Sequence, residues 1–340
     1  SMVSISRLVT CVERTGVSLP EMGRRAFGQK GKQCIEVLVI LGQVGFTVAW
    51  TAFVYENAMM VLSYHSITLN KELYAVIMLF LFSLLAWIRK IESMAFCFTM
   101  GVVMLVVSTA TFGYLSIDMI DRDGVSPTYQ AFNSEKYYLV IGFASYLFEG
   151  VPTMIPIYQA MRKDSQHKYR PIVLISCALL MVFFLVYGLT AYMAFGTSVP
   201  DVFSTGFEST PYIQMVMSLY ALVVGLTFPL GIFPIVKIME GSLMSKETRR
   251  NLWLSNAFRS LLVFLIVALF YFAADAIDQF LGIAGNLIFG PLLYVIPPLL
   301  HQFLIDDKSR WESFSNIAVC AIGSTMSLVS LGLTIYYQLQ

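Results

Sequence analysis

The sequence predicts an all-α polytopic membrane protein, because it is strongly apolar and is divided into long hydrophobic segments. Of its 340 residues, 57% are hydrophobic and 13% are charged, which is more apolar than a soluble domain of this size allows. Charge clusters separate nine apolar segments, most of them close to the roughly 20 residues that cross a hydrocarbon core. The segments are 34–62, 73–88, 94–117, 138–161, 172–195, 212–239, 261–274, 277–304 and 314–337. They show no period-two alternation, so we expect helices rather than a barrel.

The chain is expected to form a single transmembrane domain over residues 1–340, in which a cytoplasmic segment, 1–33, precedes a nine-helix bundle, 34–340. Within the first segment, the stretch TGVSLPEMGRRAFG predicts a short helix. Ser18 and Glu21 have the spacing of a capping box, and Gly28 suits the end of the helix. The longest polar loop is too short to fold alone. The formal net charge of +1 gives no sign of a nucleic-acid partner.

The distribution of basic residues predicts the orientation of the helices. Eighteen of the 22 Lys and Arg residues fall on one set of alternating loops, and such loops are usually cytoplasmic. The N-terminus is therefore expected in the cytoplasm. Plasma, vacuolar and lysosomal membranes all remain compatible with this pattern.

The residues that most enzymes and metal sites require are not grouped in this sequence. The five cysteines have no CxxC spacing, so neither a disulfide framework nor a zinc site is expected. No set of paired acids or of His and Cys falls at one depth in the membrane. The protein is therefore predicted not to be an enzyme, and no cofactor or metal site is expected.

The fourth apolar segment carries an acid and two helix breakers in its middle. Glu149 comes eleven residues after Tyr138, which places it about 16 Å deep, near the midplane of the bilayer. An ionisable group there costs at least about 2.5 kcal/mol unless it faces a cavity or a partner. Gly150 and Pro152 follow it and favour a broken helix, as in secondary transporters. The alternative is a simple kink, with a protonated Glu149 bonded to a neighbouring helix.

Two other segments contain similar interruptions. The sixth has Pro229 close to Thr227, which shares the central slab of the membrane with Glu149. The eighth has Gly285 within a run of glycines and prolines. In the first segment, Gly45 and Thr47 are small residues that either allow close helix packing or line a cavity.

Five stretches together resemble one family. YLFEGVPTMIPIYQAM, SLPEMGRRAFGQKGK, VYGLTAYMAFGTSV, GLTFPLGIFPIVKIMEG and FLGIAGNLIFGPLLYVIPPLLH occur in that order over nearly the whole chain. They are similar to motifs of the amino acid/auxin permease family, in particular those of the proton-coupled amino acid transporters and their vacuolar relatives.

The resemblance implies the leucine-transporter fold, in which two inverted repeats of five helices are followed by one further helix. On this interpretation the nine segments correspond to family spans 3–11, and the first two spans are absent from the sequence. We expect a piece of a longer transporter; the alternative is a naturally shortened homologue that does not transport.

The resemblance also implies secondary active transport of small neutral amino acids by alternating access, coupled to H⁺ or Na⁺. The residues expected to bind substrate are Ser145, Phe148, Glu149, Gly150, Gly45 and Thr47. The residues expected to act in ion coupling are Glu149 and Thr227, and the helix breaks are expected at Gly150, Pro152, Pro229 and Gly285. A membrane sensor that binds an amino acid without moving it remains an alternative.

The three histidines are not expected to carry a coupling proton. His65, His167 and His301 lie in loops or at the end of a span. A proton would then use Glu149 or a segment outside this sequence. The expected partners are an amino acid and the lipid bilayer, and the oligomeric state is left open.

Overall fold

The computed structural model describes residues 2–89, 95–132, 137–147, 150–200, 202–208 and 210–338, and this part of the chain contains helices and turns but no strand. The α-helices are Met2–Thr15 (α1), Leu19–Tyr64 (α2), Lys71–Ala86 (α3), Ala95–Asp123 (α4), Leu139–Leu147 (α5), Val151–Ala160 (α6), Tyr169–Phe195 (α7), Pro211–Leu226 (α8), Phe228–Leu243 (α9), Lys246–Arg250 (α10), Leu252–Ala273 (α11), Ile277–Ala284 (α12), Ile296–Leu304 (α13) and Arg310–Gln338 (α14). Two π-helical turns, Gly285–Phe289 and Pro291–Val295, lie between α12 and α13. The predicted all-α class is confirmed for these residues.

Seven helical stretches among the described residues are long and apolar enough to cross a membrane. They are Leu19–Tyr64, Phe98–Asp123, Lys163–Ser198, Pro211–Leu243, Leu252–Ala273, Gln279–Leu304 and Arg310–Tyr337. Two of the nine predicted segments are not among these stretches. Segment 73–88 corresponds to α3, which has only 16 residues, and segment 138–161 is divided between α5 and α6. A polytopic membrane protein is therefore supported, while the count of nine spans and the inverted-repeat fold stay predictions.

Large apolar side chains on α7 are exposed, as expected for a helix that faces lipid. Leu179, Val182 and Leu185 are 65%, 61% and 71% exposed, respectively. A water-soluble protein rarely exposes so much contiguous apolar surface. The exposed face of α7 therefore fits a hydrocarbon environment.

The N-terminal segment contains one helix that was predicted and one that was not. The predicted helix begins after Ser18, whose carbonyl accepts a hydrogen bond from Met22 N–H at 2.9 Å. At Gly28, φ is 70° and ψ is −162°, so the backbone leaves the helix before α2 resumes; a positive φ favours glycine. Helix α1 precedes it and buries an apolar stripe consisting of Ile5, Leu8, Val9 and Val12. This stripe has the spacing of an amphipathic helix.

The backbone contacts divide the chain into two compact units. Unit 1 comprises Ser1–Gly42, Phe132–Leu185 and Asp278–Gln340. In unit 1, α1 packs on α13 and α6, α5 packs on the first π-helical turn, and α14 packs on α13 and on the second π-helical turn.

Unit 2 comprises Gln43–Ala131 and Val186–Ile277. Here α3 packs on α11 and α9, and α4 packs on α8. A cluster on α4, α8 and the loop before α8 forms part of its core, and its buried members are Phe112, Phe207, Ile213, Val216 and Met217. The stacked rings of Phe82 and Phe228, with centroids 4.0 Å apart, join α3 to the start of α9.

Candidate functional site

The span that carries the predicted substrate site is divided into two helices. Helix α5 ends at Leu147 and helix α6 begins at Val151. Gly150 has φ −125° and ψ 0°, which is not helical, and its carbonyl accepts a hydrogen bond from Met154 N–H at 3.1 Å. Pro152 occupies the first turn of α6, where proline is well tolerated. Phe148 and Glu149, the predicted centre of the site, lie outside the described residues.

Two glycines bring the backbone of α5 against the backbone of the first π-helical turn. A Cβ atom on Gly285 would overlap the carbonyl of Gly142, and one on Gly142 would lie 2.5 Å from the carbonyl oxygen of Gly282. No side chain fits between these two backbones. The π-helical turn begins at Gly285, and such turns occur often at functional sites.

Ser145 lies on α5 beside this contact and is fully buried. Its hydroxyl donates a hydrogen bond of 2.8 Å to the carbonyl of Ile141. The rings of Tyr146 and Phe289 meet edge to face at 5.3 Å between centroids. Ser145 therefore lies one turn after Gly142, which contacts Gly285, although the hydroxyl of Ser145 is engaged with its own helix.

Sequence reasoning did not select Asn286, which is 2% exposed in the first π-helical turn. Its Nδ2 donates to the carbonyl of Gly282 at 2.9 Å and to the hydroxyl of Ser330 at 2.8 Å. Its Oδ1 has no hydrogen-bond partner in the described part of the chain. A buried amide inside an apolar span was the signal that could have drawn attention to it.

Unit 2 contains the second interruption, at Thr227. Helix α8 ends at Leu226 and α9 begins at Phe228. Thr227 keeps φ −86° and ψ −3°, its N–H donates to the carbonyl of Val223 at 3.0 Å, and its carbonyl accepts from Leu230 N–H at 2.9 Å. Pro229 lies in the first turn of α9. The backbone therefore bends at Thr227 but keeps most of its helical hydrogen bonds.

Gly45 and Thr47 are buried on α2. The hydroxyl of Thr47 donates to the carbonyl of Gln43 at 2.9 Å. Its methyl group lies close to α9, because a Cβ atom built on Gly231 would be 2.5 Å from Thr47 Cγ2. Thr47 thus belongs to a tight contact between α2 and α9 in unit 2.

A buried ion pair holds α9 to α11 and α3. Arg259 Nε donates to Glu240 Oε1 at 2.9 Å, and Arg259 Nη1 donates to the carbonyl of Ala86 at 3.1 Å. The hydroxyl of Ser255 donates to the same Glu240 oxygen at 2.9 Å. The side chains of Arg259 and Glu240 are 8% and 13% exposed. This pair also satisfies a carbonyl at the C-terminus of α3, where helices leave such groups unpaired.

Within the described ranges, no group of three or more His, Cys, Asp or Glu side chains has the arrangement of a metal site. Cys11, Cys34, Cys177 and Cys320 are free thiols. Burial raises the pKa of the Cys11 thiol to about 12. Since the thiolate is the reactive form, Cys11 is expected to be inert.

The family model described as "Transmembrane amino acid transporter protein" matches residues 1–337. The chain is 33% identical over 333 residues to vacuolar amino acid transporter 3 of Saccharomyces cerevisiae, covering 93% of the chain and 47% of that relative.

Two further relatives are vacuolar amino acid transporter 4 of Saccharomyces cerevisiae and vacuolar amino acid transporter 3 of Schizosaccharomyces pombe. The first is 26% identical, with coverage of 86% of the chain and 45% of the relative. The second is 25% identical, with coverage of 84% of the chain and 44% of the relative. The chain spans a little under half the length of these three relatives. The match over residues 1–337 shows that the chain belongs to the transmembrane amino acid transporter family, a family of transporters and not of enzymes.

Proposed function

We propose that the chain forms part of a secondary active transporter that moves small neutral amino acids by alternating access, coupled to H⁺ or Na⁺. The observation that carries this proposal is the non-helical Gly150 between α5 and α6. Interrupted helices in transporters turn free amides and carbonyls toward substrate and ion. Membership of an amino acid transporter family supports the same function.

The proposed substrate site lies around the end of α5 and the start of α6. Amides near Phe148, Glu149 and Gly150 would bind the carboxylate of the zwitterion, and Ser145 would line the same face of α5. Glu149 would bind the coupling proton or act as a fixed polar anchor, while Thr227 would serve near an ion or the substrate. Gly45 and Thr47 would form part of the wall.

The proposed location is a vacuolar or lysosomal membrane, with the N-terminus in the cytoplasm. The names of three relatives, all vacuolar amino acid transporters, support a vacuolar membrane. The bias of Lys and Arg toward one set of loops supports the orientation.

The test is uptake of radiolabelled neutral amino acids by the full-length protein in proteoliposomes, with Glu149→Gln and a matched control, Glu208→Gln. Glu208 is exposed in a loop, so its variant should keep wild-type uptake. We expect Glu149→Gln to lose pH-dependent uptake. Unchanged uptake with an unchanged pH profile would contradict the role of Glu149, and binding without accumulation would indicate a sensor.

A further inference from the structure

His301, at the end of a predicted span, occupies an unexpected position in unit 1. His301 lies on α13 and is only 1% exposed, whereas His65 and His167 are exposed in turns. Histidine is the side chain whose charge ordinarily changes between about pH 5 and 8. A buried histidine in a membrane protein is therefore a candidate for binding a proton.

The hydrogen bond to His301 fixes which ring nitrogen carries the proton. Asn316 Nδ2 on α14 lies 3.0 Å from His301 Nδ1 and also donates to Gln302 Oε1 at 3.2 Å. Because an amide NH₂ group only donates, Nδ1 must accept, and the ring in this arrangement is neutral. A second proton on Nδ1 would face a donor, so the Asn316 amide would have to turn.

Three unpaired polar atoms lie in the first two turns of α1 and α14, the helices that pack on α13. They are Ser4 Oγ, Arg7 Nε and Asn316 Oδ1, which are buried without a hydrogen-bond partner in the described residues. Ser4 and Arg7 are one turn apart on the face of α1, and Asn316 Oδ1 is the acceptor that a protonated Nδ1 would need. The Nδ1 of a neutral His301 is thus paired, and Asn316 Oδ1 remains as an acceptor for a charged one.

The charges around His301 oppose a second positive charge. The cations that act on it are Arg7 of α1, Arg170 of α7 and Lys308 of the turn after α13; the anion is Glu312 of α14. Glu312 is already paired, since Arg7 Nη1 donates to Glu312 Oε1 at 2.5 Å. A proton on His301 would therefore repel Arg7 and attract the carboxylate that Arg7 holds.

The same residues attach α1 to the rest of unit 1. Besides its bond to Glu312, Arg7 donates to the hydroxyl of Ser315 at 3.0 Å. At the other end of α1, Arg14 pairs with Asp307 at 2.7 Å, and the Gln159 side chain of α6 donates to the carbonyl of Gly16 at 3.0 Å. Weakening the Arg7 to Glu312 bond would therefore loosen α1 from α13 and α14.

We propose that His301 is a proton-binding site, buried where α1, α13 and α14 meet, and that proton binding there releases α1 from α14. The site rests on the burial of His301, on its hydrogen bond with Asn316 and on the neighbouring pair of Arg7 and Glu312. Its part in coupling proton and amino acid movement rests on the proposed function.

The experiment measures hydrogen exchange of the backbone amides of α1 in the full-length protein in lipid nanodiscs, at about pH 7.5 and 5.5 and corrected for intrinsic rates. One linked proton changes an equilibrium by up to about tenfold per pH unit. Because a histidine with an ordinary pKa of about 6.5 titrates between these two pH values, we expect exchange of α1 to rise by up to about tenfold at the lower pH. The same rise in exchange is expected in His167→Gln, the matched control at an exposed histidine.

His301→Gln keeps an acceptor for Asn316 but binds no proton, so α1 should stay protected at both pH values. Arg7→Gln removes both the repelling cation and the ion pair, so exchange should be fast at both. The proposal would be overturned if exchange of α1 in the wild-type protein did not rise at the lower pH. It would also be overturned if the rise persisted in His301→Gln or in Arg7→Gln. Uptake assays on the same samples test proton coupling separately. If the protein shows no coupled uptake, the proposed function fails, but the result of the exchange experiment still stands.

Discussion

The two interrupted spans differ in how far the backbone leaves the helix and in what surrounds it. In unit 1 the conformation at Gly150 is not helical, and α5 rests on another backbone through Gly142 and Gly285. In unit 2 the bend at Thr227 keeps most of its helical hydrogen bonds, and α9 is held by side chains, through Thr47 and the Glu240 to Arg259 pair. Similar glycine and proline signals thus give a helix interruption in one span and a bend in the other.

The largest expected effect comes from filling the backbone contact in unit 1. Gly285→Val places a branched side chain where a single Cβ atom already overlaps the carbonyl of Gly142. Backbone atoms cannot yield as a side chain does, so we expect no folded protein by size-exclusion chromatography in detergent. Gly188→Ala, at a helical position with open space, should fold normally. A monodisperse Gly285→Val protein would show that α5 is not seated as described.

The next effect tests the side-chain support of α9 in unit 2. Glu240→Gln leaves the buried Arg259 without its charge partner, and breaking a buried pair in this way costs about 3 kcal/mol or more. The measurement is unfolding by a denaturing detergent, followed by circular dichroism. Asp307→Asn is the control, because the Arg14 to Asp307 pair is over 60% exposed on both sides, where pairs contribute under about 1 kcal/mol. Equal losses in the two variants would contradict the contrast.

The difference between an interruption and a bend can be tested directly through transport. Gly150→Ala with Pro152→Ala favours a continuous helix in unit 1, and we expect uptake to fall by at least about tenfold, equivalent to about 1.4 kcal/mol. Pro229→Ala changes a first-turn proline in a span that already keeps its hydrogen bonds, so uptake should change much less. The initial rate of uptake in proteoliposomes measures both. A reversed order would mean that the bend at Thr227, not the interruption at Gly150, serves transport.

The smallest expected effect concerns the contact between α2 and α9. Gly231→Ala brings a methyl group within 2.5 Å of Thr47 Cγ2, and such overpacking costs about 1 kcal/mol or slightly more. Thr47→Ser removes this methyl group and keeps the hydroxyl, so the double variant should recover most of the lost thermal stability. Additive losses in the double variant would show that the two residues do not touch.

The all-α membrane class could be predicted because membrane helices are recognisable by their length and apolar composition. The helix that starts after Ser18 and its interruption at Gly28 also follow from local rules of capping and glycine conformation. Helix α1 was missed, since its buried stripe of Ile5, Leu8, Val9 and Val12 is short and lies in the segment predicted to be cytoplasmic.

The site was predictable only in part. Glycine and proline marked the neighbourhoods of Gly150, Thr227 and Gly285, but they do not distinguish an interruption from a bend or from a π-helical turn. That distinction depends on which hydrogen bonds neighbouring helices and side chains can replace. His301 was set aside because its position in the sequence is the end of a span, although the fold covers it with α1 and α14.

The membrane environment, the helical class and the family can be read from the amino-acid sequence, because composition, span length and motif order are properties of the chain alone. The tertiary structure decided which glycines touch another backbone, which carboxylate pairs with Arg259 or Arg7, and that His301 is buried. These properties depend on residues far apart in sequence, so no local rule encodes them.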